Sequence, residues 1–218
     1  MTTTGSATDL RRTQFARMYV RNSKTAEMRG ATEHRRRLLA GLRGRVVEVG
    51  AGHGLNFAHY PAGVTRVLAI EPDPHLREIA RRNAAQAPVP VEVREGIAEE
   101  LPADDAAFHA AVAALVLCSV ADQQAALREI HRTLRPGGQL RFLEHVRAGT
   151  PALRGVQRLL DATIWPALAG GCHTGRDTAA AIEQAGFAID QLDPFRFPDT
   201  RLTMPATPHL RGTATRIP

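Results

Sequence analysis

Hydrophobic positions fall into two rhythms that alternate along the chain. Short, nearly unbroken apolar runs of strand length stand at residues 46–49, 65–70, 89–93, 110–117 and 139–143. Between them, residues 74–84 and 121–134 read as helices. Pro74 opens the first, and the Arg-Pro-Gly-Gly stretch at 135–138 closes the second. Ahead of the first strand, residues 9–42 read as helical, with Leu10, Phe15, Met18, Tyr19, Met28, Leu38, Leu39 and Leu42 as its buried contacts. Beyond Gly149 the pattern predicts helices over 152–168 and 176–184, then strands at 189–192 and 209–215. Strands separated by helices demand right-handed crossovers and a mostly parallel sheet. No internal repeat or linker divides the chain. The expectation is one domain over 9–218, with a helical cap at 9–44 and a disordered Thr/Ser/Gly-rich tail at 1–8.

Composition narrows this picture. At 218 residues, 44% hydrophobic and 23% charged, the chain is long enough for one substantial core without staples. No apolar run approaches the roughly 20 residues of a membrane span. The opening MTTTGSATDLRR has no apolar segment of signal-peptide type. Two cysteines, Cys118 and Cys172, are too few for a disulfide framework and suit a reducing cytoplasm. The net charge of +6 comes almost wholly from arginine, since Lys24 is the only lysine. The basic residues crowd into positions 11–45, which reads as a solvated helix face ahead of a peripheral membrane contact. Aromatics at 5% leave few stacking platforms, so no nucleic-acid partner is expected.

The first strand runs directly into Glu48-Val-Gly50-Ala-Gly52-His-Gly54. Strand, glycine turn and helix start together make a nucleotide-type pocket at the carboxyl edge of a sheet. Glu48 stands at the buried end of the strand, where a carboxylate is costly unless it accepts hydrogen bonds or faces a cation. Glu71 ends the next strand, where an acid takes both hydroxyls of a ribose. A dinucleotide fingerprint needs its third glycine where this chain has Leu55. The loop therefore favours S-adenosylmethionine over a nicotinamide dinucleotide.

These residues sit in segments that resemble class I S-adenosylmethionine-dependent methyltransferases: VVEVGAGHG (46–54), VLAIEPDPHL (67–76), EGIAEELP (95–102), FHAAVAALVLCSV (108–120) and LREIHRTLRPGGQLRFLEHV (127–146). Within that class the chain is similar to the small methyltransferase-like 7 proteins, which methylate alkyl thiols, through ALVLCSV, FLEHV, GCHTGRDTAAAIEQAGF (171–187) and TPHLRGTATR (207–216). The resemblance implies a Rossmann-like, seven-stranded, mostly parallel sheet with helices on both faces and an antiparallel last strand. It also implies S-adenosylmethionine as cofactor, S-adenosylhomocysteine as product, and a small-molecule acceptor, preferably a thiol. A quinone, phenol or phospholipid head group is the alternative acceptor, and a non-catalytic binding protein the third reading. Carried over residue by residue, Gly50, Gly52 and Gly54 lie under the methionine part, with Glu48 facing its ammonium end, and Ala51 and Asn56 are further cofactor-binding residues. Glu71 holds the ribose, with Pro72 a further cofactor-binding residue, Ala98 and Glu99 lie near the adenine, and Leu115 and Leu117 lie beside the sulfonium. Ile97 stands where many relatives have an acid. Human members carry an apolar N-terminal anchor that the opening does not match, so the expected location is cytoplasmic.

Methyl transfer from a sulfonium needs an aligned nucleophile, a dry site and, for some acceptors, a base. His145, at the expected end of the fifth strand, is the base candidate, with a structural histidine as its other reading. Cys118, Trp165, His173 and His209 are candidate acceptor-side residues, and Asp161 shares a helical face with Trp165. Cys118 and Trp165 read equally as core, His173 as a cap and His209 as edge-strand polarity. No HxxxH or CxxC spacing appears, so no metal is expected.

Overall fold

A computed structural model describes residues 7–200 and 203–217, with side chains from Ala16 onward. The strands are β1 (Gly44–Val49), β2 (Val64–Ile70), β3 (Val91–Arg94), β4 (Phe108–Ala114), β5 (Leu134–His145), β6 (Phe187–Arg196) and β7 (Pro208–Arg216). They form one sheet in the order β3-β2-β1-β4-β5-β7-β6. All pairings through β5 are parallel, and β7 runs antiparallel between β5 and β6. This is the expected seven-stranded arrangement with its antiparallel last strand.

The helices are α1 (Ala7–Ala26), α2 (Thr32–Leu39), α3 (Pro74–Ala84), α4 (Gln123–Thr133), α5 (Pro151–Asp161), α6 (Trp165–Leu168) and α7 (Thr178–Gln184). Pro74 lies in the first turn of α3, and the Asp73 carboxylate caps it by accepting from the N–H groups of His75 and Leu76. Asp122 caps α4 in the same manner. Two layers of side chains leave the sheet on opposite faces. Val47, Val49, Ala111, Ala113, Leu140 and Phe142 pack with Leu127, Ile130 and Ile182. Val46, Val67, Ala69, Ala110 and Val112 pack with Leu38, Leu39, Phe57 and Tyr60. Both faces are thus covered, as a largely parallel sheet requires.

Three departures from the sequence expectation have physical causes. The N-terminal helix is not continuous: a π-helical segment, Glu27–Ala31, joins α1 to α2, and Gly30 there has φ 105°. Only glycine adopts that angle freely, so Gly30 breaks the helix. Met18 and Met28 point to solvent instead of the core, while Leu38, Leu39 and Leu42 are buried as expected. The helix expected over 152–168 ends at Asp161, and Pro166 lies in the first turn of a new short helix. Proline cannot supply the N–H that a continuous helix would need there. The strand expected through Leu117 stops at Ala114, because Leu115 takes φ 62° and turns the chain. Ala7 opens α1, so most of the tail expected at 1–8 lies outside the described residues, as do the side chains of Leu10 and Phe15.

The β5–β7 register pairs Phe142 with Gly212 and His145 with His209. A Cβ on Gly212 would lie 2.4 Å from the Phe142 ring, so that position admits no side chain.

Candidate active site

The sheet order reverses between β1 and β4, and the carboxyl ends of those strands frame a crevice. The glycine loop after β1 lines it. Gly50, Gly52 and Gly54 have φ of 63°, 57° and 85°. A Cβ on Gly50 would meet Val116 at 2.6 Å, and one on Gly54 would meet the Phe57 ring at 2.5 Å. The loop is therefore wrapped tightly enough to exclude side chains, which leaves its backbone to face the crevice.

Two buried carboxylates flank this loop. Glu48 accepts from Asn56 Nδ2 at 2.8 Å and from the Tyr60 hydroxyl at 2.7 Å, and Arg35 Nη1 donates to Asn56 Oδ1 at 3.0 Å. Burial raises its pKa to about 7 against the opposing pull of those hydrogen bonds. Glu71 accepts from the N–H of Gly52 at 2.7 Å and of Asp73 at 2.9 Å, and burial raises its pKa as well. Two acids held against their own ionisation suit a ligand that carries positive charge.

His53 belongs to the same site, although nothing in the sequence singled it out. Ser23 Oγ donates to the Val20 carbonyl at 2.9 Å, so the His53 Nε2–H donates to Ser23 Oγ across their 3.2 Å contact. Nδ1 is then a bare acceptor, buried without a partner. Burial lowers the His53 pKa to about 4, which keeps the ring neutral. Tyr19 stands edge-on to His53, 5.5 Å between centroids, and its ring would touch a Cβ on Gly52. Helix α1 therefore covers the glycine loop.

The donor set fits S-adenosylmethionine: a glycine turn open to backbone contact, carboxylates at the ends of β1 and β2, and an unsatisfied acceptor at His53. Glu71 retains acceptor capacity for a ribose diol. Near the expected adenine position, Ala98 is buried, Ile97 is exposed, and Glu99 accepts from the N–H groups of Ala121 and Asp122. Pro72 is exposed and its carbonyl accepts from Arg77.

Beside the crevice a cavity of about 200 Å³ opens beneath α1 and α2, over Leu115 and Leu143, and is also lined by Phe195, Phe197 and His209. Its exposed wall is mainly apolar, although Asn22, Ser23, His34 and Arg35 also line it, and no carboxylate does so among the described residues. His209 is buried, and its Nδ1 bonds to the Thr207 carbonyl at 2.9 Å. Burial and the neighbouring His145 lower its pKa to about 3.

Leu117 and Cys118 are fixed by a residue that the sequence reading passed over. Glu144 is fully buried. Its carboxylate accepts from the backbone N–H groups of Val116, Leu117 and Cys118, each at 3.0 Å. That bracket holds the turn started by Leu115. On the far side, Gln157 and Asp161 of α5 fasten the 172–175 loop: Gln157 Nε2 donates to the Thr174 carbonyl, and Asp161 accepts from the N–H groups of Thr174 and Gly175. The His173 N–H donates to the Cys118 carbonyl at 2.7 Å.

Cys118, His145 and Cys172 are thereby brought together. The two sulfurs are 3.8 Å apart, and His145 Nδ1 lies 3.6 Å from Cys118 Sγ and 3.4 Å from Cys172 Sγ. Cys118 keeps its proton, and Cys172, facing a thiol donor and the imidazole, tends to thiolate. His173 Nδ1 turns to the Gly171 carbonyl, away from this group. Trp165 lies beside Cys172, with its buried indole N–H directed at the Cys172 sulfur. Of the expected acceptor-side residues, His209 lines the cavity and Cys118 does not; His145, the expected base, stands with Cys118 and does not line the cavity either. The no-metal expectation looked only for closely spaced ligands, whereas this cluster joins residues 27 and 54 positions apart.

The Methyltransferase domain family matches residues 47–142. Thiol S-methyltransferase TMT1B of Rattus norvegicus is 34% identical over 182 residues, spanning 78% of this chain and 70% of that protein. Thiol S-methyltransferase TMT1A of Homo sapiens is 33% identical over 78% of this chain and 70% of its own length. Among solved structures, an S-adenosylmethionine-dependent methyltransferase from Mesorhizobium loti superposes with a TM-score of 0.64 at 23% identity. It covers 86% of this chain and 99% of that one.

Proposed function

Because the chain belongs to the class I S-adenosylmethionine-dependent methyltransferases, in the family that includes the thiol S-methyltransferases, we propose that it methylates the sulfur of a small apolar thiol. The observation that carries this reading is the cavity over Leu115 and Leu143, which is mainly apolar and lined by no carboxylate among the described residues. An alcohol would need a strong base at the point of attack, whereas a thiol with a pKa of about 8.5 supplies a useful fraction of thiolate unaided.

S-adenosylmethionine, when bound, supplies a methyl group activated by its sulfonium charge. The chain's own groups bind and orient. Glu71 takes the ribose hydroxyls, the glycine turn presents backbone to the methionine portion, and His53 Nδ1 with the Glu48–Asn56 pair receives the ammonium end. Leu115, its N–H bonded to the Leu143 carbonyl, faces the cavity beside the reacting centre, while Leu117, held by Glu144, is buried in the core beneath it, and Tyr19 covers the loop. Neither cysteine is in a disulfide, which suits a reducing compartment such as the cytoplasm. Among the described residues no helix is long and apolar enough to cross a membrane.

The deciding experiment compares an alkyl thiol with its oxygen analogue at saturating cofactor, with products identified by mass spectrometry. The thiol is expected to turn over and the alcohol not. Equal or better methylation of the oxygen analogue would replace the thiol reading with an alcohol or phenol acceptor.

A further inference from the structure

We propose that Cys118, His145 and Cys172 bind a thiophilic divalent cation, zinc in the first instance, whose fourth position takes the acceptor thiol as thiolate. The second half of this proposal rests on the thiol reading above; the first half does not.

The argument is metric. A tetrahedral zinc has Zn–S near 2.3 Å and Zn–N near 2.0–2.1 Å, which sets S···S at about 3.8 Å and S···N at about 3.6 Å. The three observed separations are 3.8, 3.6 and 3.4 Å. One imidazole nitrogen faces both sulfurs, so the three ligand atoms form a triangle with the dimensions of one face of that tetrahedron. Two thiolates and an imidazole are a soft donor set, which selects zinc over magnesium or calcium.

The surroundings hold this triangle in place. The Cys118 N–H is anchored on Glu144, and the Cys118 carbonyl accepts from His173. Arg176 bonds the carbonyls of Leu117 and Val120 on either side. Glu144, fully buried beside His145, adds a carboxylate next to the cluster. These contacts fix the ligands' backbone, as outer-shell groups do in metal sites.

Three protein ligands leave one position open, the pattern of catalytic rather than structural zinc. Both cysteines are buried and His145 is half-buried. Its ring lies 4.5 Å from that of His209, which lines the cavity, so a single imidazole stands between the cluster and the cavity. An incoming R–SH would form a sulfur–metal bond and release its proton to solvent. The sulfur then stays a nucleophile at neutral pH, and no lining carboxylate is required.

The test uses the full chain, purified reduced and without chelators. Stoichiometric zinc is expected by elemental analysis. Cobalt(II) exchanged into the site should show thiolate charge-transfer bands and the intense visible bands of a tetrahedral ion. Cys118→Ser, Cys172→Ser and His145→Ala should each weaken binding beyond the roughly 100-fold seen for loss of outer-shell partners. Circular dichroism and retained S-adenosylhomocysteine binding identify variants that still fold. Adding a short alkanethiol should change the cobalt spectrum of the unmutated protein, and the matching alcohol should not. The proposal is overturned if the reduced, folded protein takes up neither ion, if the folded variants bind as well as the parent, or if thiol leaves the cobalt spectrum unchanged. Full-rate thiol methylation by metal-free protein overturns it while leaving the thiol reading intact. A cobalt spectrum that responds to thiol in a protein methylating no thiol supports the site and sinks the acceptor reading instead.

Discussion

Glu144 holds Cys118 through its backbone: the carboxylate of one strand end accepts the N–H of the turn at the next, at 3.0 Å, with neither residue reaching solvent. Since the same carboxylate also accepts from Val116 and Leu117, replacing one oxygen with an amide NH₂ leaves a backbone donor facing a donor. Glu144→Gln should destabilise the fold by about 1–3 kcal/mol, the cost of one unsatisfied buried group. Denaturant unfolding checks it, and a change below about 0.5 kcal/mol, the level of an ordinary surface substitution, would refute the bracket.

Glu71 should govern the cofactor. Glu71→Ala is expected to weaken S-adenosylhomocysteine binding by about 1.5–3 kcal/mol, the scale of hydrogen bonds to a charged group. Calorimetry measures this directly. The parent protein should show no heat with NAD, and a strong NAD response with none to either adenosyl ligand would contradict the cofactor assignment.

Glu48 sets a pH dependence of definite sign. Its folded pKa, near 7, lies above the ordinary carboxylate value. Its contribution to stability is therefore fully present below about pH 4.5 and is lost as pH rises through 7, by about 3 kcal/mol in all. Glu48→Gln should flatten that part of the ligand-free stability profile. A cationic ligand favours the carboxylate, so cofactor affinity should rise between pH 5.5 and 7.5, with proton release on binding below 7. Calorimetry in buffers of different ionisation enthalpy counts those protons; uptake instead of release would reverse the assignment.

The glycine loop makes a packing prediction. Gly54→Ala adds a methyl group 2.5 Å from the Phe57 ring at φ 85°. Backbone strain of about 1–2 kcal/mol and overpacking of about 1–3 kcal/mol should combine. Adding Phe57→Leu should relieve the overpacking and leave the strain, so the double variant falls between Gly54→Ala and the parent after allowing for Phe57→Leu alone. A double variant with no recovery would place the whole cost in the backbone.

The loop, its flanking acids and the alternation of strand and helix were readable because each is written locally. Glycines, a terminal Glu and turn residues act over a few positions. Glu144 was not readable, since its partners are backbone N–H groups that any residue type would supply. His53 was hidden for a related reason, as its role depends on Ser23 reaching it from α1. The Cys118–His145–Cys172 cluster draws on the ends of two strands and a late loop, so spacing carries no trace of it. The break between α5 and α6 did have a signal in Pro166, which the expected continuous helix overran. The burial of Met18 and Met28 was anticipated from helical spacing, but the kink at Gly30 changes which face of the cap meets the sheet.

Gly212 has one further consequence. Strand side chains alternate between faces, so a slip of one residue between β5 and β7 would send His209 to the opposite side of the sheet from His145. Such a slip would also bring Arg211 or Thr213 against the Phe142 ring, where not even a methyl group fits. The absence of a side chain at Gly212 thus works as an alignment notch, keying two histidines together from three residues away. The alignment of the two histidines thus rests on packing inside the sheet, at Phe142 and Gly212, and not on the connection between β6 and β7 alone.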